Sequence, residues 1–189
     1  MSRPRSDAKR QAILDAALRV FAERGIADAP TWAISKAAGV AEGSLFTYFA
    51  SKDELMGELY RELRQEFSKH LIDFPFEGDA ETRLRYIWDK YLDLGASRPE
   101  NLKVLAQLRA TGKLFKENET PGLAFIEVLR ATHEVASGSD LEAAPPEFLV
   151  LMLRSQMEMA IEFIQANPEH AGICREIGFR MVWKGLMGK

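Results

Sequence analysis

The spacing of its apolar residues is what most limits how this chain can fold. Ile13, Ala16, Ala17, Val20 and Phe21 stand at i, i+3, i+4, i+7 and i+8, which places them on one face of a helix over about residues 6–24. Ser6 can cap its start, Asp7 suits the first turn, and Gly25 stands just past its end. A short helix fits residues 31–38, between Pro30 and Gly39, and a third fits about 42–49. The Ser51-Lys-Asp-Glu54 run has capping-box spacing, and Leu55, Leu59, Leu63 and Phe67 carry the helix it opens to about Ile72. No window alternates long enough to make a strand.

Pro75 and Gly78 break the chain over residues 73–79. Helices are expected over about 80–96, 100–111 and 121–137. Past the clearest break, between Ser137 and Pro146, two more fit 147–166 and 169–187, hinged at Asn167-Pro168. The expected fold class is all-α, with about nine helices.

Composition narrows the function. At 47% hydrophobic and 28% charged residues, the chain can pack a core. One cysteine, Cys174, leaves no internal disulfide framework. The longest fully apolar stretch, residues 148–153, is six residues, far short of the ~20 a membrane span needs. Charged residues at 7, 9 and 10 stand where a signal peptide needs an apolar run. A soluble cytoplasmic protein is expected. The net charge of -3 conceals an asymmetry, because residues 1–52 sum to +3 and the remainder to -6. A basic end on an acidic body suits a polyanion at that end, although such a balance is also common on an ordinary solvated surface.

The informative stretch is Ile34-Ser-Lys-Ala-Ala-Gly39-Val40 followed by Glu42-Gly-Ser-Leu-Phe-Thr-Tyr-Phe49. Two short helices joined at a glycine make a helix-turn-helix pattern. At 100° per residue, with Leu45 inward, Gly43, Ser44, Phe46 and Thr47 point outward and Tyr48 lies on the flank. Apart from Glu42 this face carries no solvating charge. Its small residue lets a groove come close, and its hydroxyls and methyls can touch bases and phosphates. Periodicity alone leaves a second reading level with this one, a hairpin buried in a bundle with Phe46 and Tyr48 as core.

The run Ile13…Ala17…Phe21…Gly25…Ile34-Ser-Lys-Ala-Ala-Gly-Val-Ala-Glu-Gly-Ser-Leu-Phe-Thr-Tyr-Phe…Ser51-Lys-Asp-Glu-Leu55 resembles the TetR family of bacterial transcriptional regulators nearly position for position over residues 6–60. The resemblance implies that the third helix enters the major groove through Gly43, Ser44 and Thr47, with Phe46 beside them. It also implies that Tyr48 and Lys52 contact the DNA backbone. Three positions depart from the family pattern. Ala41 stands where a Ser or Thr often caps the recognition helix, forgoing ~1 kcal/mol. Phe46 replaces a frequent Tyr, and Pro30 leaves Thr31 as the nearby hydroxyl. The start of the chain, with Arg3, Arg5, Lys9 and Arg10, reads either as an arm following the DNA backbone or minor groove, or as a solvated start.

The resemblance further implies that residues 1–52 form the DNA-binding domain and 53–189 a ligand-sensing and dimerisation domain. Candidate pocket residues are Phe67, Trp88, Tyr91, Leu105, Arg109, Phe125, Met152 and Gln156, though aromatics and methionines at helical spacing are more often plain core. The last two helices carry surplus apolar surface. A homodimer interface is expected through Met157, Ile161, Ile164, Cys174, Gly178, Met181 and Gly185. His170 and Cys174 stand four apart, but without further ligands nearby no metal is expected, and neither is a cofactor. No nucleophile elbow or phosphate-cradling loop appears, so no catalytic residue is expected. The expectation is a ligand-released repressor that binds a palindromic duplex DNA operator as a homodimer and answers a small-molecule effector. The alternative is a helical ligand- or partner-binding protein that does not read DNA.

Overall fold

The computed structural model describes residues 4–70, 73–112, 130, 131, 133, 134, 137 and 140–187. The described residues hold eight α-helices and no strand. In chain order these are α1 (Pro4–Arg24), α2 (Thr31–Ala37), α3 (Glu42–Tyr48), α4 (Lys52–Lys69), α5 (Ala80–Ser97), α6 (Pro99–Ala110), α7 (Pro146–Ala166) and α8 (Ala171–Met187). Short 3-10 turns cover Asp140–Ala143 and Pro168–His170. Of the helix expected over 121–137, residues 130, 131, 133 and 134 are helical, and most of the rest lies outside the described residues. No helix among the described residues is long and apolar enough to cross a membrane.

The chain forms two compact units, Met1–Gln65 with Arg98–Glu119, and Glu66–Ser97 with Thr120–Lys189. The first division falls inside α4 rather than after residue 52. In the first unit, Ile13, Ala16, Ala17 and Phe21 of α1 are fully buried, with Ile34, Leu45 and Leu55 from the next three helices and Phe49 just past the end of α3. Helix α6 packs on α1, and its Lys103 Nζ donates to the Ala22 carbonyl at 2.7 Å. Arg10 pairs with Glu58 and lies over the Phe49 ring at 5.4 Å, tying α1 to α4.

In the second unit α5 packs against both α7 and α8. Trp88 is 1% exposed, and its indole N–H donates to the Arg175 carbonyl at 3.1 Å. Two glycines let these helices close up. A Cβ built on Gly95 would stand 2.6 Å from an Ile161 carbon, and one on Gly178 would stand 2.7 Å from a Trp88 ring carbon. Arg175 binds Asp89 and Asp93, and Arg85 binds Asp89 and Glu176, holding α5 to α8. Asp79 caps α5 by accepting the Thr82 N–H at 2.8 Å.

Candidate nucleic-acid interface

The helix-turn-helix is built from its glycine outward. Gly39 has φ 68°, a conformation a Cβ disfavours. With the chain so turned, the Gly39 N–H reaches the Lys36 carbonyl at 3.2 Å and the Val40 N–H reaches Ser35 at 3.0 Å. These are the two bonds of a Schellman motif, and they stop α2 and aim α3. Leu45 and Phe49, at 0% and 1% exposure, anchor α3 on the core. The Thr31 hydroxyl donates to Glu42 Oε1 at 3.1 Å, joining the starts of α2 and α3. Neither Pro30 nor Ala41 supplies a side-chain cap.

Gly43, Phe46 and Thr47 are exposed on α3, while Ser44 and Tyr48 are partly covered. Nothing lies within 4 Å of where a Gly43 Cβ would stand. The Thr47 hydroxyl donates to the Gly43 carbonyl at 3.1 Å, which leaves its methyl and an acceptor lone pair for a partner. Trp32 is 51% exposed on α2 and was not singled out in the sequence. Its position, 200° around the helix from the buried Ile34, is the signal that would have found it.

Two of the expected DNA contacts also have places within the fold. Lys52 lies at the start of α4, but its ammonium donates to the Ile26 carbonyl at 2.6 Å and lies 5.8 Å from the centre of the Phe21 ring. It clamps the α1–α2 loop, where a part-buried carbonyl and an aromatic face together seat the ammonium. Helix α1 begins at Pro4, so the backbone of Arg5, Lys9 and Arg10 is helical. Arg3 lies outside the described residues.

The candidate pocket residues are divided between the two units. Leu105 and Arg109 belong to the first unit, and Phe67, Trp88, Tyr91, Met152 and Gln156 to the second. Phe67 and Tyr91 meet edge to face at 5.3 Å, and the Tyr91 hydroxyl donates to Glu158 at 3.2 Å. Trp88 is closed off by Gly178 and Phe179, so it is core rather than lining. Met152 is 45% exposed on the outer face of α7, and Phe125 lies outside the described residues. A groove of about 570 Å³ does open in the first unit, between residues 24–28, Lys52, Asp53 and Met56, and Gln107, Ala110 and Thr111. None of the candidates lines it.

The expected dimer residues differ in how far the chain itself covers them. Met157 and Ile161 are buried within the chain, and Gly178 faces Trp88. The apolar side chains left outward are Phe148, Leu151, Met152, Met159 and Phe163 on α7, and Ile173, Ile177 and Met181 on α8. Ile164 and Cys174 are partly covered, and Gly185 is exposed with nothing within 4 Å of its Cβ position.

Residues 13–59 match the family described as bacterial regulatory proteins, tetR family. The chain is 32% identical over 97 residues to the fatty acid metabolism regulator protein of Bacillus subtilis, covering 51% of this chain and 50% of that protein. It is 34% identical over 80 residues to the HTH-type transcriptional regulator AcrR of Shigella flexneri, covering 41% of this chain and 37% of that one. These matches thus span about half the length of the relatives or less. Among solved structures, a tetR family transcription regulator from Shewanella shares the fold at TM-score 0.73 and 24% identity, over 94% of this chain and 97% of that one. FadR from Bacillus subtilis, solved with stearoyl-CoA, does so at TM-score 0.66 and 21% identity, over 94% and 97%.

Proposed function

We propose, from the premise that this chain belongs to the tetR family of bacterial regulatory proteins, that it is a cytoplasmic transcriptional repressor holding a palindromic operator as a homodimer. The observation that carries the reading is the face of α3. Leu45 and Phe49 are sunk in the core, while Gly43, Phe46 and Thr47 stand free beside Ser44. A helix fixed so firmly on one side, with small and hydroxyl groups on the other, suits a major groove. Residues 1–52 are taken as the reading domain and 53–189 as the sensing and pairing domain. Tyr48 and the Arg5 end of α1 are assigned to the DNA backbone, and Lys52 is assigned to holding the reading domain together.

Pairing is assigned to the outward apolar faces of α7 and α8, with Met181 and Gly185 among them. A symmetric dimer covers such a face with its own copy. The relatives' names direct the choice of effector, since the Bacillus subtilis relative is a fatty acid metabolism regulator and FadR of the same organism was solved with stearoyl-CoA. A long-chain acyl thioester is therefore the first ligand to try. It would release DNA by preferring the conformation that binds the operator poorly. In this reading the chain is a binding protein rather than an enzyme.

A gel shift on duplex DNA from upstream of its own reading frame tests the proposal, with and without stearoyl-CoA. Retarded DNA at nanomolar protein supports the reading, and release by the thioester supports the effector. Failure to retard any duplex favours the helical binding protein that does not read DNA.

A further inference from the structure

Resting on that DNA-binding reading, we infer that Glu42 makes this protein select a cytosine at one fixed position of each half-site. Glu42 opens α3, is exposed, and is the one charged residue of that helix. Side chains near the start of a recognition helix are those that meet base edges. A carboxylate carried there between two phosphate strands is repelled on both sides, and only a hydrogen-bond donor on the groove floor offsets that cost. Major-groove base edges offer two such donors, the amino groups of cytosine and adenine.

The carboxylate distinguishes them because it can only accept. Adenine's amino group lies between two acceptors, its own N7 and the O4 of the paired thymine, and both repel a second carboxylate oxygen. Cytosine's amino group has an acceptor on one side and a C–H edge on the other. Glutamine, which donates and accepts, is the side chain suited to adenine.

Thr31 makes the choice sharper. Its hydroxyl donates to Oε1 of Glu42 at 3.1 Å, which fixes the carboxylate over the crease between α2 and α3 and leaves Oε2 to accept. Thr31 is thus a positioning residue. Without it, Glu42 could turn away from the groove into solvent.

The test is selection of bound duplexes from a randomised library by the full chain, followed by sequencing. The parent should enrich cytosine at one position per half-site. Glu42→Gln should lose that enrichment by at least about fivefold, shift it toward adenine, and bind unrelated DNA more tightly. Thr31→Val should broaden the same position alone, while Thr31→Ser, which keeps the hydroxyl, should not. A parent profile without a fixed cytosine, or one unchanged in Glu42→Gln, overturns the inference while the DNA-binding reading stands. If no duplex is enriched at all, the DNA-binding reading falls and the inference with it.

Discussion

Two glycines in the reading domain carry opposite expectations. Gly39 sits at φ 68°, where a Cβ costs about 1–2 kcal/mol. Gly43 has ordinary helical backbone and open space around its Cβ position. Gly39→Ala should therefore lower the melting temperature, and Gly43→Ala should raise it slightly through better helix propensity. In a binding titration Gly43→Ala should nonetheless be the weaker protein, because its methyl lies on the face assigned to the groove. Lys52 gives a second residue-scale test. Replacing it with methionine removes the bond to the Ile26 carbonyl and should cost about 1 kcal/mol in denaturant melts. The slope of log K against log salt should stay at its parent value, whereas losing a phosphate-bound lysine lowers it by about 1. Asp79 supplies a pH test in the second unit. Hydrogen bonds from Thr82 hold its carboxyl below the ordinary aspartate value. The unfolded chain therefore takes up that proton first, so the cap stabilises above the ordinary value and the benefit is lost as pH falls through the folded one. Asp79→Ala should melt below the parent at pH 7, and the two curves should merge in strong acid.

At the scale of helices, Gly178 and Met181 separate packing from pairing although they lie on one helix. Gly178→Ala drives a methyl into the Trp88 ring and should lower stability by about 1–3 kcal/mol. Met181, 66% exposed, has no such contact to lose. Met181→Glu should keep the parent's helical content but sediment as a monomer, because the proposed pairing face would bury a carboxylate, and its melt should no longer depend on protein concentration. The same contrast shows where sequence was legible. The first six helices were each readable within about three residues of their observed ends, since glycine, proline and capping signals punctuate a clear 3.6-residue period. Even the capping box was visible, with Glu54 N–H on Ser51, although Glu54 returns to the Ala50 N–H instead of that of Ser51. The inward face of α7 was not readable. Met157 and Ile161 on one side and Met159 and Phe163 on the other are equally apolar, so periodicity has no polar stripe wide enough to tell them apart. The direction of Lys52 was hidden for another reason, because the carbonyl it seeks lies 26 residues away in sequence.

For the molecule as a whole, the proposed pairing would impose geometry on the DNA. Two copies of α3 related by a two-fold axis must meet major grooves about 34–36 Å apart or at a multiple of that spacing. Inserting five base pairs between half-sites should abolish binding in a gel shift, and inserting ten should restore much of it. The recognition helix itself holds no cation, and its only charge is the carboxylate of Glu42. Phosphate attraction, which holds random sequence, is therefore left to the cations elsewhere in residues 1–52 rather than to α3. In the proposed repressor, affinity for random DNA and discrimination among sequences then sit on separate elements, and operator occupancy follows the ratio of specific to non-specific binding weighted by the number of competing sites. Substitutions in α3 would then change which operator is chosen, and substitutions among those cations how tightly any DNA is held.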